Sequence, residues 1–457
     1  MKQAANPQIF REYDIRGVAD TDLNDTAIYP LGRAIGTYLG RSGTTHVTVG
    51  RDCRLSSERI QGRLISALLD SGLDVTDIGL VPTPLLYFSV IHLKAGGGIM
   101  ITGSHNPPEY NGLKVCSGRN TLFGDQIQEI RQILETGTFV SGKGTLRGFS
   151  IIDTYIDEIS RRIQGPLPIK VVVDSGNGMA GLLAGRLFRK LGCQVTELFS
   201  ELDGRFPNHH PDPTDPQNMR DLVKAVMEQG AVAGVGFDGD ADRIGAVDKT
   251  GRILFGDELL VLYARDLLVT HPGATIISEV KASHRLFTDI RSHGGNPIMW
   301  KTGHSLIKAK MKETAALLAG EMSGHMFFAD RYFGYDDALY AAARLFEILT
   351  KTGKTPGELL ADLPATVCTP EIRVSCSDET KFKVVEQSRH IFEGRGATVN
   401  GIDGARVEFG DGWGLVRASN TQPVLVYRFE ANSAERLGEI RKFVEDVVNG
   451  QLLQLEY

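Results

Sequence analysis

Cysteine is scarce: Cys53, Cys116, Cys193, Cys368 and Cys376 are the five in 457 residues, and no two form a CxxC pair. That excludes a disulfide framework and a cysteine-rich metal centre, and fits a reducing, cytoplasmic setting. Long apolar runs are missing too. The opening MKQAANPQIFREYDIRG has no apolar segment of signal-peptide type, and nowhere do eighteen apolar residues stand in a row, so neither secretion nor a membrane span is expected. There is no excess of positive charge. Fifty Lys+Arg against 56 Asp+Glu leave a net charge of −6, which offers no global footprint for nucleic acid or anionic lipid. With 42% apolar and 23% charged residues, the composition is that of a folded, soluble chain.

Glycine, by contrast, is plentiful at 52 residues, which marks many tight turns and close backbone approaches. The length allows about three domains of typical size or four small ones. From Thr45, THVTVG reads as a strand, and Ile60, Leu64 and Leu68 follow at helical spacing before Gly72. DVTDIG and GGIMITG continue a βαβ pattern. It returns at IKVVVD, with a helix expected over 182–191 and then QVTELF, and again at ATIISEV, with a helix-like ARLFEIL before Gly353. After about residue 365, ARVEF and VLVYRF alternate apolar with polar as antiparallel strands do. A closing helix is marked by Leu437, Ile440, Val444 and Val447, and by a capping-box spacing from Asn432 to Glu435. The fold class expected is α/β: three similar mixed-sheet α/β domains over 1–149, 150–252 and 253–364, then a smaller α+β domain over 365–457.

Two phosphate-loop patterns are weak. GNGMAG, with Gly176, Gly178 and Gly181, matches a dinucleotide fingerprint between strand and helix, and Glu197 stands where a ribose-binding acid would lie. Glycine is common enough that chance supplies such a triple about 0.6 times in a chain this long, and a second stands at Gly234, Gly236 and Gly239. GTFVSGKG nearly spells a P-loop, but Gly144 replaces the Ser or Thr that must reach the metal.

Four constellations carry chemistry. In AGVGFDGDADRIGAVD, Asp238, Asp240 and Asp242 alternate at the end of an apolar run, so an extended or gently curled backbone aims three carboxylates at one point. Held that close they need a cation. An EF-hand is excluded because Arg243 and Lys249 occupy its obligatory Gly and Glu positions, which leaves a hard ion such as Mg²⁺. In MITGSHNPPEYNGLK, Ser104 stands in a loop stiffened by Pro107 and Pro108, with His105 and Lys114 nearby; as a nucleophile it needs a neighbouring base or metal. In ALLAGEMSGHMFF, the period-two spacing of Glu321, Ser323 and His325 puts polar groups on one side of an extended segment, suited to a hydroxylated substrate. In LVRASNTQPVLV, Arg417, Ser419, Asn420 and Thr421 offer a guanidinium fork, hydroxyls and an amide, all donors suited to phosphate. Together they imply phosphoryl transfer on a phosphorylated sugar.

TGSHNP, DGDADR, GEMSGH and RASNT resemble, in order, the four signature loops of the α-D-phosphohexomutase superfamily, one per domain around a central cleft. GEMSGH is similar to the bacterial-type phosphomannomutase/phosphoglucomutase branch. The resemblance, which extends from FREYDIRG to the last domain, implies an isomerase. Its reaction would exchange a phosphoryl group between C1 and C6 of mannose or glucose phosphates through a phosphoserine at Ser104, with hexose 1,6-bisphosphate as intermediate and activator. Ser104, Asp238, Asp240 and Asp242 would hold Mg²⁺, and Arg243 would lie beside the transferring group. Glu321 and Ser323 would bind sugar hydroxyls, and Arg417, Ser419, Asn420 and Thr421 the other phosphate. Tyr13, Arg16, Lys114, Lys281, His304 and His325 would line the cleft, with Lys114 and the histidines as candidates for proton transfer. Glucose and mannose differ only at C2, so acceptance of both is expected. The partners expected are small hexose phosphates, without nucleic acid or membrane, for a monomer or weak dimer. A phosphoglucosamine-type mutase and an NAD-dependent oxidoreductase are the rival readings.

Overall fold

The computed structural model describes residues 6–420 and 422–455. Among them four β-sheets succeed one another, three of mixed direction with helices between the strands, and a last that is antiparallel. In the first, Gly97–Ile101, His46–Arg51, Asp74–Leu80 and Leu146–Gly148 run parallel, Tyr110–Ser117 returns antiparallel beside Gly97–Ile101, and Ile15–Val18 pairs antiparallel with its outer edge. In the second, Ala233–Phe237, Lys170–Asp174 and Gln194–Leu198 are parallel, and Ile244–Asp248 returns. In the third, Asn296–Trp300, Thr275–Glu279 and Leu318–Gly320 are parallel, and Met326–Phe328 returns. The central strands are apolar without alternation because both faces are covered; Val171, Val172 and Val173 are all fully buried.

Local signals act as the residues dictate. The helix Ser57–Asp70 buries Ile60, Leu64 and Leu68, and Gly72 follows at φ 86°, a conformation open to glycine. The helix expected over 182–191 forms over Ala184–Lys190, after one 3-10 turn at Met179–Leu182. The closing helix, Ala434–Leu455, starts one residue later than its capping-box spacing indicated. Asn432 is held at the sheet by its N–H bond to the Asp411 carbonyl (3.0 Å), so Ser433 Oγ accepts the N–H of Arg436 (3.2 Å) and caps the helix instead.

One rule places the site. In each unit a strand leads into a loop and an antiparallel partner returns: Gly97–Ile101 to Tyr110–Ser117, Ala233–Phe237 to Ile244–Asp248, Leu318–Gly320 to Met326–Phe328, Gly412–Ala418 to Val424–Ala431. The four motif loops are the tips of these four hairpins.

One apolar core runs from Leu85 and Tyr155 through Val173 and Phe237 to Tyr340 and Phe346, fusing the second and third units to part of the first. The last unit packs its own core around Val384, Phe392, Val416 and Phe429. It meets the third through a small cluster of Val280, Trp413 and Leu415. Among the described residues no helix is long and apolar enough to cross a membrane.

Candidate active site

The serine and aspartate loops meet directly. Ser104 lies in the left-handed region at φ 48°, and its Oγ donates to Asp238 Oδ2 at 2.8 Å. The aspartate loop is curled rather than extended: Ala241 is left-handed at φ 57°, and Asp238 Oδ1 accepts the N–H groups of Asp242 (3.1 Å) and Arg243 (3.2 Å). Lys114, on the strand that follows the serine loop, donates to Asp240 Oδ2 (2.8 Å) and Asp242 Oδ2 (2.5 Å). Thr83 Oγ1 adds a 2.5 Å bond to Asp240 Oδ2. These bonds leave Asp240 Oδ1 and Asp242 Oδ1 buried without a hydrogen-bond partner among the described residues.

The electrostatics follow from burial. Desolvation opposes charge on Lys114, but Asp240 and Asp242 more than offset it and its pKa rises, so the ammonium persists. Burial likewise opposes charge on Asp240, and Lys114 overcomes it, holding that carboxyl below the usual carboxylate range. Asp238 is pushed well up, first by burial and then by the charges of Asp240 and Asp242. A ligand oxygen from each aspartate lies within 4.8 Å of the others. Three clustered hard oxygens, with the Ser104 hydroxyl alongside, could hold a hard metal ion.

GNGMAG serves this loop. A Cβ at Gly178 would stand 2.8 Å from the Gly239 carbonyl, and Met179 N–H donates to the same oxygen at 2.9 Å. Gly239 in turn has no room for a side chain, because a Cβ would meet the Ser104 carbonyl at 2.4 Å. Gly178, Gly181 and Gly239 therefore pack backbone on backbone. The near P-loop is also occupied: the N–H groups of Gly142 and Gly144 donate to the carbonyls of Asp70 and Leu69.

Glu321, Ser323 and His325 do not lie along an extended segment. The stretch is a tight turn, closed by Gly324 N–H to Glu321 O (3.0 Å) and Glu321 N–H to His325 O (2.9 Å). Alternate spacing reads the same in a strand and in a hairpin tip, and here the antiparallel return of Met326–Phe328 requires the tip. Glu321 Oε1 accepts Gly303 N–H at 2.6 Å, and burial raises its pKa. Arg243 Nε donates to His325 Nε2 at 3.0 Å, joining this turn to the aspartate loop. The His304 ring stacks on His325 with centroids 5.5 Å apart, and burial pushes its pKa well down. Asp336, which lacks a motif, is fully buried with Oδ2 at 3.2 Å from His325 Nδ1 and 3.5 Å from His304 Nδ1.

The remaining residues form another wall. Arg417 Nε donates to Asp403 Oδ2 (3.1 Å), which also accepts Thr302 N–H (2.9 Å). Lys281 donates to Glu371 Oε2 (3.1 Å), and the pair holds Glu371 down at about 2. Among the described residues, none of the hydrogen-bonding partners of Lys281 or Arg417 belongs to the serine or aspartate loop. Ser419 Oγ accepts the N–H of Gln422 at 3.2 Å. Asn420 Nδ2 donates to Tyr13 Oη (2.8 Å), which donates to Thr302 O (2.7 Å), so one hydroxyl ties together the first, third and last units. Arg16 Nη1 donates to Asn106 Oδ1 (2.5 Å) and pairs with Asp14. Thr421 lies outside the described residues. Thr83, Asp336, Asp403 and Glu371 were missed by sequence reasoning; the YDDAL pair, standing just before a helix whose N-cap is Asp337, was the one signal that could have pointed to any of them.

Comparison with known proteins agrees along the whole chain. Family models for the phosphoglucomutase/phosphomannomutase alpha/beta/alpha domains I, II and III match residues 7–141, 153–251 and 255–367, and the model for the C-terminal domain matches 371–447. A phosphomannomutase/phosphoglucomutase of Pseudomonas putida is 48% identical over 448 residues, 98% of this chain and 96% of that one. A phosphoglucomutase of Neisseria gonorrhoeae is 46% identical, covering 96% of each chain. The crystal structure of a phosphoglucomutase/phosphomannomutase family protein from Burkholderia thailandensis superposes with a TM-score of 0.92 at 44% identity, covering 98% of both chains. Four hairpin-tip loops in order, each in its own matched domain, place the chain in the phosphoglucomutase/phosphomannomutase family of the α-D-phosphohexomutases.

Proposed function

We propose that this protein moves a phosphoryl group reversibly between C1 and C6 of mannose and glucose phosphates, through a phosphoserine at Ser104 and a bound hexose 1,6-bisphosphate. The observation that carries the reading is the 2.8 Å bond from Ser104 Oγ to one of three clustered, fully buried aspartates, two with orphaned oxygens. Asp238, Asp240 and Asp242 would hold Mg²⁺ with a Ser104 oxygen; when bound, the ion would offset charge on the transferring group.

In the forward half-reaction a sugar hydroxyl oxygen bonds to phosphorus while the Ser104 Oγ–P bond breaks, and the hydroxyl proton leaves to a base. Lys114 is ill suited to accept it, since two carboxylates hold it as an ammonium. His325 is the alternative: its Nε2 accepts a hydrogen bond from Arg243 Nε, so that nitrogen is unprotonated, and it would take the proton once the guanidinium turns to the phosphoryl group. Arg243 and Lys114 supply positive charge at the transferring group, as a reaction governed by positioning and charge requires. The bisphosphate then turns over, and its other phosphate returns to Ser104. Glu321 and Ser323 would hold hydroxyls that nearly superpose in both orientations, and Arg417, Ser419, Asn420 and Thr421 would grip whichever phosphate is distal. Arg16, Lys281 and His304 would complete the cleft.

The test is intact-mass analysis and peptide mapping of protein treated with glucose 1,6-bisphosphate, beside rates on glucose 1-phosphate, mannose 1-phosphate and glucosamine 1-phosphate. Phosphate on Ser104 with turnover of both sugars is expected. A phosphate elsewhere, or preference for an amino sugar phosphate, refutes the assignment.

A further inference from the structure

The serine loop is held in its shape from behind. Ser104 occupies the left-handed region at φ 48°, which L-residues seldom adopt. Within the loop, Ser104 N–H bonds to Thr102 Oγ1 (2.9 Å), and the turns Asn106 N–H to Gly103 O (2.9 Å) and Tyr110 N–H to Pro107 O (3.0 Å) close it. Four carbonyls of the loop converge on one side chain, Arg54, which is 2% exposed. Its Nη2 donates to Ser104 O (2.8 Å) and Asn106 O (2.6 Å), and its Nη1 to Pro107 O (2.5 Å) and Tyr110 O (3.0 Å).

The guanidinium is itself fixed on every side. Its Nε lies 3.2 Å from Asp52 Oδ2, and that oxygen also accepts Gly103 N–H at 3.2 Å. Asp52 Oδ1 accepts Arg54 N–H (3.0 Å) and Ser57 Oγ (2.5 Å). Gly103 lies against the guanidinium: a Cβ there would stand 2.5 Å from Arg54 Cζ. The Phe206 ring, from the second unit, lies 5.1 Å from the same carbon. The four Nη–H donors of a planar fork can serve four carbonyls at once while its charge pairs with a carboxylate; a lysine ammonium, with three donors on one atom, cannot. The arrangement also draws the negative ends of four peptide groups onto a buried cation. That suits a loop asked to carry a phosphoryl dianion.

We propose that Arg54 is a positioning residue for phosphoryl transfer: by gathering the carbonyls of Ser104, Asn106, Pro107 and Tyr110 it holds Ser104 Oγ at the aspartate cluster. This rests on the reading of Ser104 as the phosphoryl carrier. Arg54 acts through the loop, so its loss lowers kcat while the binding wall, built by other units, is left intact.

The experiment uses the full chain as wild type, Arg54→Lys and Arg54→Ala, each charged with glucose 1,6-bisphosphate and assayed on glucose 1-phosphate. Arg54→Lys should lower kcat by about 100-fold, with KM within about 3-fold of wild type. In Arg54→Ala, added guanidinium ion should recover kcat by at least about 10-fold and ammonium should not. Wild-type kcat in Arg54→Lys overturns the proposal, as does equal rescue by the two ions. If Arg54→Ala does not fold, Gly103→Ala takes its place, since it keeps the charge but displaces the guanidinium; wild-type kcat there overturns the proposal equally. Turnover by wild type with no phosphate on Ser104 overturns the underlying reading and the proposal with it, whereas phosphorylated, active wild type beside an unimpaired Arg54→Lys overturns the proposal alone.

Discussion

The two halves of the cleft hold their polar groups through different partners. In the serine and aspartate half, Ser104, Lys114, Asp238, Asp240 and Asp242 are at most 2% exposed and bond directly to one another across two units. In the sugar and phosphate half, Lys281 and Arg417 are braced by Glu371 and Asp403 from outside the motif loops, and Ser323 and Asn420 remain half-buried. The cores divide the molecule along a different line, between the last unit and the other three. The second and third units share one core with part of the first, while the last unit packs separately and meets the third through a few side chains. The difference matches two demands on a phosphohexomutase. Bond-making needs fixed geometry, whereas a sugar bound in two orientations needs a wall that can release and grip again.

The largest effect should come from the locked half. On the proposed mechanism Ser104→Ala removes the oxygen that would form and break the bond to phosphorus, and mutase activity should fall by at least about 10,000-fold; parental activity would break the comparison at its root. Lys114→Met should come next. It leaves Asp240 and Asp242 buried without their ammonium, a loss of about 3–5 kcal/mol in denaturant melts without magnesium. Excess magnesium should recover most of that stability by binding the folded state, while kcat stays low; magnesium-insensitive stability would show that the carboxylates do not hold the ion. Arg417→Lys probes the other half. Losing the planar fork should raise KM for hexose phosphate by about 10- to 100-fold and leave kcat within a few-fold. A fall in kcat at constant KM would place Arg417 with the chemical residues instead.

Much of this was legible in the residues, for physical reasons that differ by element. The buried strands announce themselves because nothing polar interrupts Val171–Val173, and the helix at Ile60, Leu64 and Leu68 because its period fits one buried face. The aspartates are legible as a cation site because three like charges crowded at one strand end repel one another unless positive charge sits among them. The turn at Glu321 was not, since alternation is shared by strands and hairpin tips. Thr83, 157 residues from Asp240, and Asp403, 101 residues from Thr302, are brought in by topology alone, and no local pattern marks them. The closing helix shows a smaller limit. Asn432 and Ser433 are both good caps, and the choice falls to Ser433 because the sheet claims Asn432 through Asp411.

The smallest effect tests how the halves are joined. Tyr13 belongs to the first unit, yet its hydroxyl donates to Thr302 O at 2.7 Å and accepts from Asn420 Nδ2 at 2.8 Å, so it bridges to the third and last units. Burial raises its pKa far above neutrality, so it stays a neutral donor at working pH and contributes no charge to the reaction. Tyr13→Phe keeps the ring against His304 and removes only the two hydrogen bonds. A neutral bond contributes about 0.5–1.5 kcal/mol. If the bridge stabilises the closed grip on substrate, KM should rise by about 2- to 10-fold with little change in kcat. If instead the last unit is held by its contacts with the third alone, through Val280, Trp413 and Leu415, KM will not move and closure does not depend on the first unit. Measuring KM and kcat for Tyr13→Phe in the Arg417→Lys background separates the two cases, because a shared role in the grip makes the losses non-additive.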